Sequence, residues 1–272
     1  CTYCVVPSVR GSATNLSFNE IIKEAKEKAK NGVHQITLLG QTVNAYTYEK
    51  YDFVDLLKEI SQIDEIKIIR FLSPHPLFFN SKFFKEYEKN QKISRWIHLP
   101  LQSASNRILK LMKRGYTYEK FKEIINTLTG IDSTTSISSD VIVGFSTETE
   151  AEFNETVSAI KELEFSNVYC FKYSPRFQNS YPLTITTEEL KKRHSIALKT
   201  AKESAKKSIE KRAGKTEIVL ITDENNNGIT SSGYNCCIID NTRWKKGDIV
   251  KGTVERISGN TLHIRLNDKK YS

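Results

Sequence analysis

Thr135-Ser136-Ile137-Ser138-Ser139-Asp140-Val141-Ile142-Val143-Gly144 is a β-branched, largely apolar run closed by a glycine. A run of this length and composition reads as a buried strand. Residues 150–163 follow with helical spacing, and residues 167–171 return to strand character. Strand, helix and strand with short joins predict parallel strands linked by a crossover helix.

The same alternation extends upstream. Helices are expected over residues 18–31, 52–60, 78–87, 105–113 and 118–128, and strands over 34–39, 66–71 and 96–99. Ser17 with Glu20 three residues on forms a capping-box pattern, and Gly32 is a natural stop. Repeated parallel units close into an open sheet or a barrel, and in either the loops after the strands' carboxyl ends carry the site. The loops at 40–46, 73–76, 100–103, 144–150 and 174–176 all occupy that position.

The character changes after Pro182. Residues 187–212 read as one long basic helix. Five short strands follow at 217–222, 229–232, 235–239, 248–257 and 261–266, separated by Gly228, Gly233, Gly247 and Ser258-Gly259-Asn260. Five strands in so short a stretch suggest a small barrel of oligonucleotide-binding type. The division expected is therefore 1–186, a linker helix at 187–212, and a terminal all-β module at 213–272.

The net charge is +9, with 18 Lys+Arg against 11 Asp+Glu in residues 187–272. A cationic excess at one end suggests a polyanionic partner there, with RNA the leading class, and a solvated lysine-rich surface the alternative. Tyr234, Arg243, Trp244, Lys245 and Lys246 place aromatic rings beside cations, the composition of an RNA-contacting surface. Five cysteines, an odd number, do not suggest a disulfide framework. With no long apolar run and no signal segment, a cytoplasmic protein without a membrane span is expected. The absence of an initiating methionine reads as a piece of a longer polypeptide.

Cys1-Thr2-Tyr3-Cys4 places two thiols three apart, so both can reach one metal or cluster. Together with Val5-Val6-Pro7 and Arg10-Gly11, the stretch resembles the end of the CxxxCxxC motif of radical S-adenosylmethionine enzymes, and more narrowly of the methylthiotransferases that act on tRNA. Gly40-Gln41-Thr42-Val43-Asn44-Ala45-Tyr46, His98-Leu99-Pro100-Leu101-Gln102-Ser103, Lys113-Arg114-Gly115-Tyr116-Thr117, Ser139 to Phe145 and Phe171 to Arg176 are similar to further blocks of that family, in order.

The resemblance implies an α/β fold, a partial (β/α)6 barrel followed by a small TRAM barrel for RNA. It implies a four-iron, four-sulfur cluster ligated by Cys1 and Cys4, S-adenosylmethionine, and a second four-iron cluster in an N-terminal domain outside this chain. Tyr3, Gly40, Gln41, Asn44, Gln102, Ser103 and Gly144 are then candidates for cofactor contact. Plain turn and capping roles are the alternative for the loop residues. Arg10, Arg114, Asp140, Arg176, Arg243, Trp244, Lys245 and Lys246 are candidates for substrate and RNA. The first cysteine of the motif would precede Cys1, so this chain by itself is expected to be inactive. Cys170, Cys236 and Cys237 match no ligand and are expected to be ordinary core or surface thiols. His98, at a strand end, is expected to satisfy a backbone group.

The implied activity is 2-methylthiolation of N6-isopentenyladenosine beside the anticodon. The implied partners are a tRNA anticodon stem-loop and an electron-donor protein, and the protein is expected to be a monomer. Threonylcarbamoyladenosine in tRNA, a ribosomal-protein aspartate, and a purely RNA-binding fragment are the alternatives. Ala104, Ser146-Thr147 and Phe177-Gln178-Asn179 stand where the family usually has glycine or proline-glycine turns.

Overall fold

The computed structural model describes Val9, Gly11 and residues 14–175, 181–239 and 244–267. By compactness the chain divides into two units: residues 1–14, 98–126 and 137–207 form one, and 15–97, 127–136 and 208–272 the other.

The second unit opens with α1 (Phe18–Lys30), whose capping box forms as expected, Ser17 and Glu20 satisfying each other's backbone N–H groups. Strand β1 (Gln35–Leu38) pairs in parallel with β4 (Ile68–Phe71), in the register Gln35 to Ile68 through Leu38 to Phe71. A parallel bridge from Ile69 to Ile93 extends that pairing. Between the two strands lie a short hairpin, β2 (Thr47–Tyr48) with β3 (Tyr51–Asp52), and α2 (Phe53–Ser61).

The hairpin was not anticipated: its strands are two residues each and carry no alternation to read. Nor does the next helix, α3 (Ser81–Lys89), begin at Phe78. Pro76–Phe78 forms a single 3-10 turn capped by the His75 ring, and Asn80 caps α3. Phe53, Phe71, Phe79, Phe83 and Tyr87 pack edge-on and stacked to fill the space between α2, α3 and β4.

The same unit contains the terminal strands: β8 (Thr216–Ile221), β9 (Asn227–Thr230), β10 (Asn235–Ile238), β11 (Ile249–Ser258) and β12 (Thr261–Leu266). They close into a barrel in the order β10-β12-β11-β8-β9, every pairing antiparallel except β10 with β12. Val219, Ile221, Cys236, Val250, Val254, Leu262 and Ile264 fill it. The small barrel read from the sequence is thus present. Closure leaves no free strand edge.

Its attachment was not legible. Arg70 donates to the Thr230 carbonyl at 2.6 Å, Ser94 Oγ to the Ser231 carbonyl at 2.6 Å, and Ser136 Oγ to the Ser232 carbonyl. Gly233, at φ +85, lies so close to Trp96 that a Cβ would sit 2.5 Å from the indole ring. Arg212, at the base of the last helix, pairs with the buried Glu217 and donates to the Thr134 carbonyl.

β5 (Trp96–His98), β6 (Ser136–Val143) and β7 (Asn167–Lys172) form a sheet in that order, and apart from Trp96, Ile97 and Ser136 its residues belong to the first unit. Strands β6 and β7 run parallel, with Asp140 opposite Tyr169 and Ile142 opposite Phe171. α4 (Asn106–Leu111), α5 (Tyr118–Ile131), α6 (Glu150–Leu163) and α7 (Thr187–Glu210) complete the helical layer. Val143 and Cys170 on one sheet face pack with Phe153, Val157, Leu190 and Ala197.

Candidate functional site

In the second unit, the loops that follow β1 and β4 are fastened by one side chain. Asn44 is buried; its Nδ2 donates to the His75 carbonyl at 3.0 Å, and its Oδ1 accepts the His75 N–H at 2.8 Å. Val43 N–H adds a bond to the Ser73 carbonyl at 3.3 Å. Both polar ends of the Asn44 amide are therefore committed to loop geometry. Gly40 and Gln41 stay exposed, leaving backbone and a flexible amide open to a ligand. A Cβ on Gly40 would meet Val43 Cα at 3.2 Å, a tight turn.

In the first unit, the loop after β5 is held from below. Tyr116 Oη donates toward the carbonyls of Pro100 and Leu101, 3.0 Å from each, and Arg114 Nε donates to Tyr116 Oη at 3.1 Å. Arg114 is buried, its guanidinium 5.3 Å from the Tyr116 ring centre. Through Tyr116 it braces this loop.

Gln102 is the strained member of the loop. Its φ is +70, a conformation that costs a non-glycine residue on the order of 1–3 kcal/mol and tends to collect at functional sites. Backbone bonds to both sides of Val141 over-determine it: its N–H donates to the Asp140 carbonyl at 2.7 Å and its carbonyl accepts from Ile142 at 2.9 Å. Among the described residues its side-chain amide has no partner. Ser103 is fully buried and internally satisfied, its Oγ accepting from the Ser105 N–H at 3.2 Å and lying 3.4 Å from Thr156 Oγ1.

Gly144 has φ +73, and its missing Cβ is replaced by Leu190 and Ile185: a Cβ would stand 2.4 Å from Leu190 Cδ1. Packing against these side chains accounts for the glycine without a ligand. Its N–H donates to Glu148 Oε2 at 2.8 Å. Glu148 is buried and also accepts from Arg193 at 3.0 Å, yet burial outweighs the cation and holds its pKa above the ordinary carboxylate value.

Asp140 finds the partner its strand position demands, and it is a side chain. His98 Nε2 lies 3.2 Å from Asp140 Oδ2, and His98 Nδ1 lies 2.9 Å from Ser138 Oγ. Both ring nitrogens of His98 thus lie within hydrogen-bond distance of side-chain oxygens, where its strand-end position had suggested a backbone partner. Ser138 and Asp140 are two apart on β6 and share a face, and His98 spans both from the neighbouring strand. Cys170 carries its thiol on the opposite face, where burial and then the Asp140 charge push its pKa up to about 11. Cys236 is buried in the terminal barrel and Cys237 half-buried. All three are free thiols, and burial pushes the Cys236 pKa up as it does that of Cys170.

In the terminal barrel, the Trp244 ring leans on the core and its backbone N–H donates to Asn226 Oδ1 at 3.1 Å. Lys245 and Lys246 are exposed on the turn before β11. Cys1, Tyr3, Cys4, Arg10, Arg176 and Arg243 lie outside the described residues. Among the described residues no group of three or more His, Cys, Asp or Glu could hold a metal, so Cys1 and Cys4 face no competing donor set there. Thiolates at CxxC spacing suit iron–sulfur ligation. In the second unit the open loop at Gly40-Gln41, and in the first unit the Gln102 amide, are each chemically suited to a polar group. No helix among the described residues is long and apolar enough to cross a membrane.

Residues 1–160 match the Radical SAM superfamily model. The chain is 37% identical over 234 residues to the tRNA-2-methylthio-N(6)-dimethylallyladenosine synthase of Helicobacter pylori strain Shi470, covering 81% of this chain and 53% of that protein. It is 45% identical over 202 residues to the protein of the same name from Buchnera aphidicola subsp. Cinara cedri, covering 71% and 46%. The chain thus spans about half the length of the curated relatives it matches. Among solved structures, coproporphyrinogen III oxidase from Escherichia coli aligns over 70% of this chain and 45% of its own, at 13% identity and a TM-score of 0.48.

Proposed function

Because this chain belongs to the radical S-adenosylmethionine superfamily, we propose that the protein containing it is a tRNA methylthiotransferase. It converts N6-isopentenyladenosine beside the anticodon to its 2-methylthio derivative. The observation that carries this reading is the 37% identity, sustained over 234 residues, to a relative named for that reaction.

The cluster and S-adenosylmethionine together supply hydrogen abstraction at an unactivated aromatic carbon, which no side-chain acid or base achieves. Cys1 and Cys4 hold the cluster as thiolates. Gly40, Gln41 and Gln102 offer backbone and amide groups to the polar parts of S-adenosylmethionine. Asn44 and the Arg114–Tyr116 pair keep the loops that present those groups in shape. The inserted sulfur is assigned to a second cluster outside this chain. The terminal barrel, read as a TRAM module, takes the tRNA phosphates through Lys245 and Lys246.

Nucleoside mass spectrometry of tRNA from a strain lacking the gene tests the substrate: the 2-methylthio isopentenyl nucleoside should vanish and its unthiolated precursor accumulate. Persistence of the thiolated nucleoside defeats the assignment. Iron and sulfide analysis of full-length protein after anaerobic reconstitution tests the cofactor. Replacing Cys1 and Cys4 by alanine should remove one cluster's worth of iron.

A further inference from the structure

Strand β7 exposes two large rings in its middle. Tyr169 is 50% exposed and Phe171 52% exposed, two residues apart and so on one face of the sheet. The parallel register sets Tyr169 beside Asp140 and Phe171 beside Ile142 on β6. The opposite face, with Val143 and Cys170, is covered by the helical residues that pack on it. On β7 the exposed large apolar side chains thus share one face, where two flat rings stand beside a carboxylate.

The polar atoms around this ledge are partly spoken for. His98 holds Asp140 Oδ2 at 3.2 Å and turns its edge to Tyr169, the ring centres 6.0 Å apart at 67°. Asp140 Oδ1 has no partner among the described residues, and neither has Tyr169 Oη. His98 is pinned in turn by Ser138 Oγ at 2.9 Å, so the ring fixes the orientation of both the carboxylate and the tyrosine.

A surface of this kind suits a flat heteroaromatic ring that carries an N–H donor on its rim. Nucleobases stack on aromatic side chains, and a carboxylate accepts from an exocyclic amine while repelling phosphate. We propose that Tyr169 and Phe171 are the ledge on which the substrate adenine stacks, with Asp140 Oδ1 accepting its one remaining N6–H and His98 acting as the positioning residue. The proposal rests on the tRNA reading above. It adds the residues that recognise the base.

The test uses full-length, cluster-reconstituted protein and fluorescence anisotropy with labelled anticodon stem-loops. The loops carry N6-isopentenyladenosine, an abasic site, or N6-methyl-N6-isopentenyladenosine, which lacks the N6–H. Wild-type protein should bind the first about tenfold tighter than the abasic loop, the scale of one base stacked on aromatic side chains. Tyr169→Ala and Phe171→Ala should each erase most of that ratio, and Tyr169→Phe should retain it. Asp140→Ala should abolish the preference for the loop bearing the N6–H while keeping discrimination against the abasic loop. Both rings are half-exposed, so the variants should keep the wild-type melting temperature.

Folded Tyr169→Ala and Phe171→Ala proteins with the wild-type ratio overturn the ledge and leave the tRNA reading standing. Wild-type protein that binds the stem-loop no better than an unrelated hairpin overturns both.

Discussion

Arg70 Nη2 meets the backbone carbonyl of Thr230 at 2.6 Å, tying β4 to the end of β9 across 160 residues of chain. The guanidinium is buried beside Trp96, 5.8 Å from its ring, and burial pulls its pKa down to about 10, which still leaves it charged at neutral pH. Replacing Arg70 by methionine removes the donor and strands the carbonyl. The expected cost is about 1–3 kcal/mol of unfolding free energy, the penalty for an unmet buried acceptor. Urea unfolding measures it, and a loss below about 0.5 kcal/mol would show the bond to be incidental.

Gly144 and Leu190 compete for one volume. Gly144→Ala should destabilise the protein by at least about 1 kcal/mol from its left-handed φ alone, with overpacking against Leu190 added. Leu190→Ala opens the space that the new methyl needs. The double variant should therefore be more stable than the sum of the two single losses predicts. Strict additivity in a thermal-melt cycle would refute the steric account.

Arg193 is the counter-charge for buried Glu148. Arg193→Met leaves a carboxylate in the core, which should cost about 3–5 kcal/mol at neutral pH. The sign with pH follows from the raised pKa of Glu148. A carboxyl whose folded pKa exceeds its unfolded value contributes fully below the unfolded pKa and loses ground as pH rises through the folded one. The variant's deficit should thus shrink on acidification, and a pH-independent deficit would rule out the charge explanation.

Glu152 behaves in the opposite sense. Hydrogen bonding from Arg107 is the main influence that lowers its pKa from 4.5 to about 2. A depressed folded pKa gives stability that is present above 4.5 and lost as pH falls toward 2. Arg107→Gln should flatten that limb by lowering stability at neutral pH while leaving stability at the acid end nearly unchanged, and the neutral loss should be small because Arg107 is half-exposed.

Lys245 and Lys246 should act on tRNA binding through phosphate. Replacing either by alanine in the full-length protein should weaken binding of matched and mismatched stem-loops alike, and lower the slope of log affinity against log salt by about 1. A change in sequence preference with an unchanged slope would remove the phosphate role.

Much of the architecture was readable because its signals are local. The helix at Glu150–Leu163 and the strand at Thr261–Leu266 occur at the bounds their periodicity suggested. Ser17 and Glu20 announced α1 three residues apart. The candidate site was harder, because its pairs are remote in sequence. His98 and Asp140 are 42 residues apart, and nothing local says that a strand-end histidine will seek a carboxylate on the next strand. Arg114 was a candidate for substrate or RNA because arginine suits planar bidentate contacts; its bond to Tyr116 Oη is visible only in the third dimension. Gln102 carried no sign of its left-handed backbone, since that strain is imposed by two bonds from β6.

The turn at Thr230–Gly233 is stitched into the surface beneath it, and that has a bearing on any transplant of the terminal barrel between relatives. A graft beginning at residue 213 would leave its socket behind: Arg70, Ser94, Trp96 and Ser136 would face a stranger's turn, and Gly233 would have to be matched by a glycine to slide under the indole. Exchangeability of this module is therefore governed by four residues that lie far upstream of it.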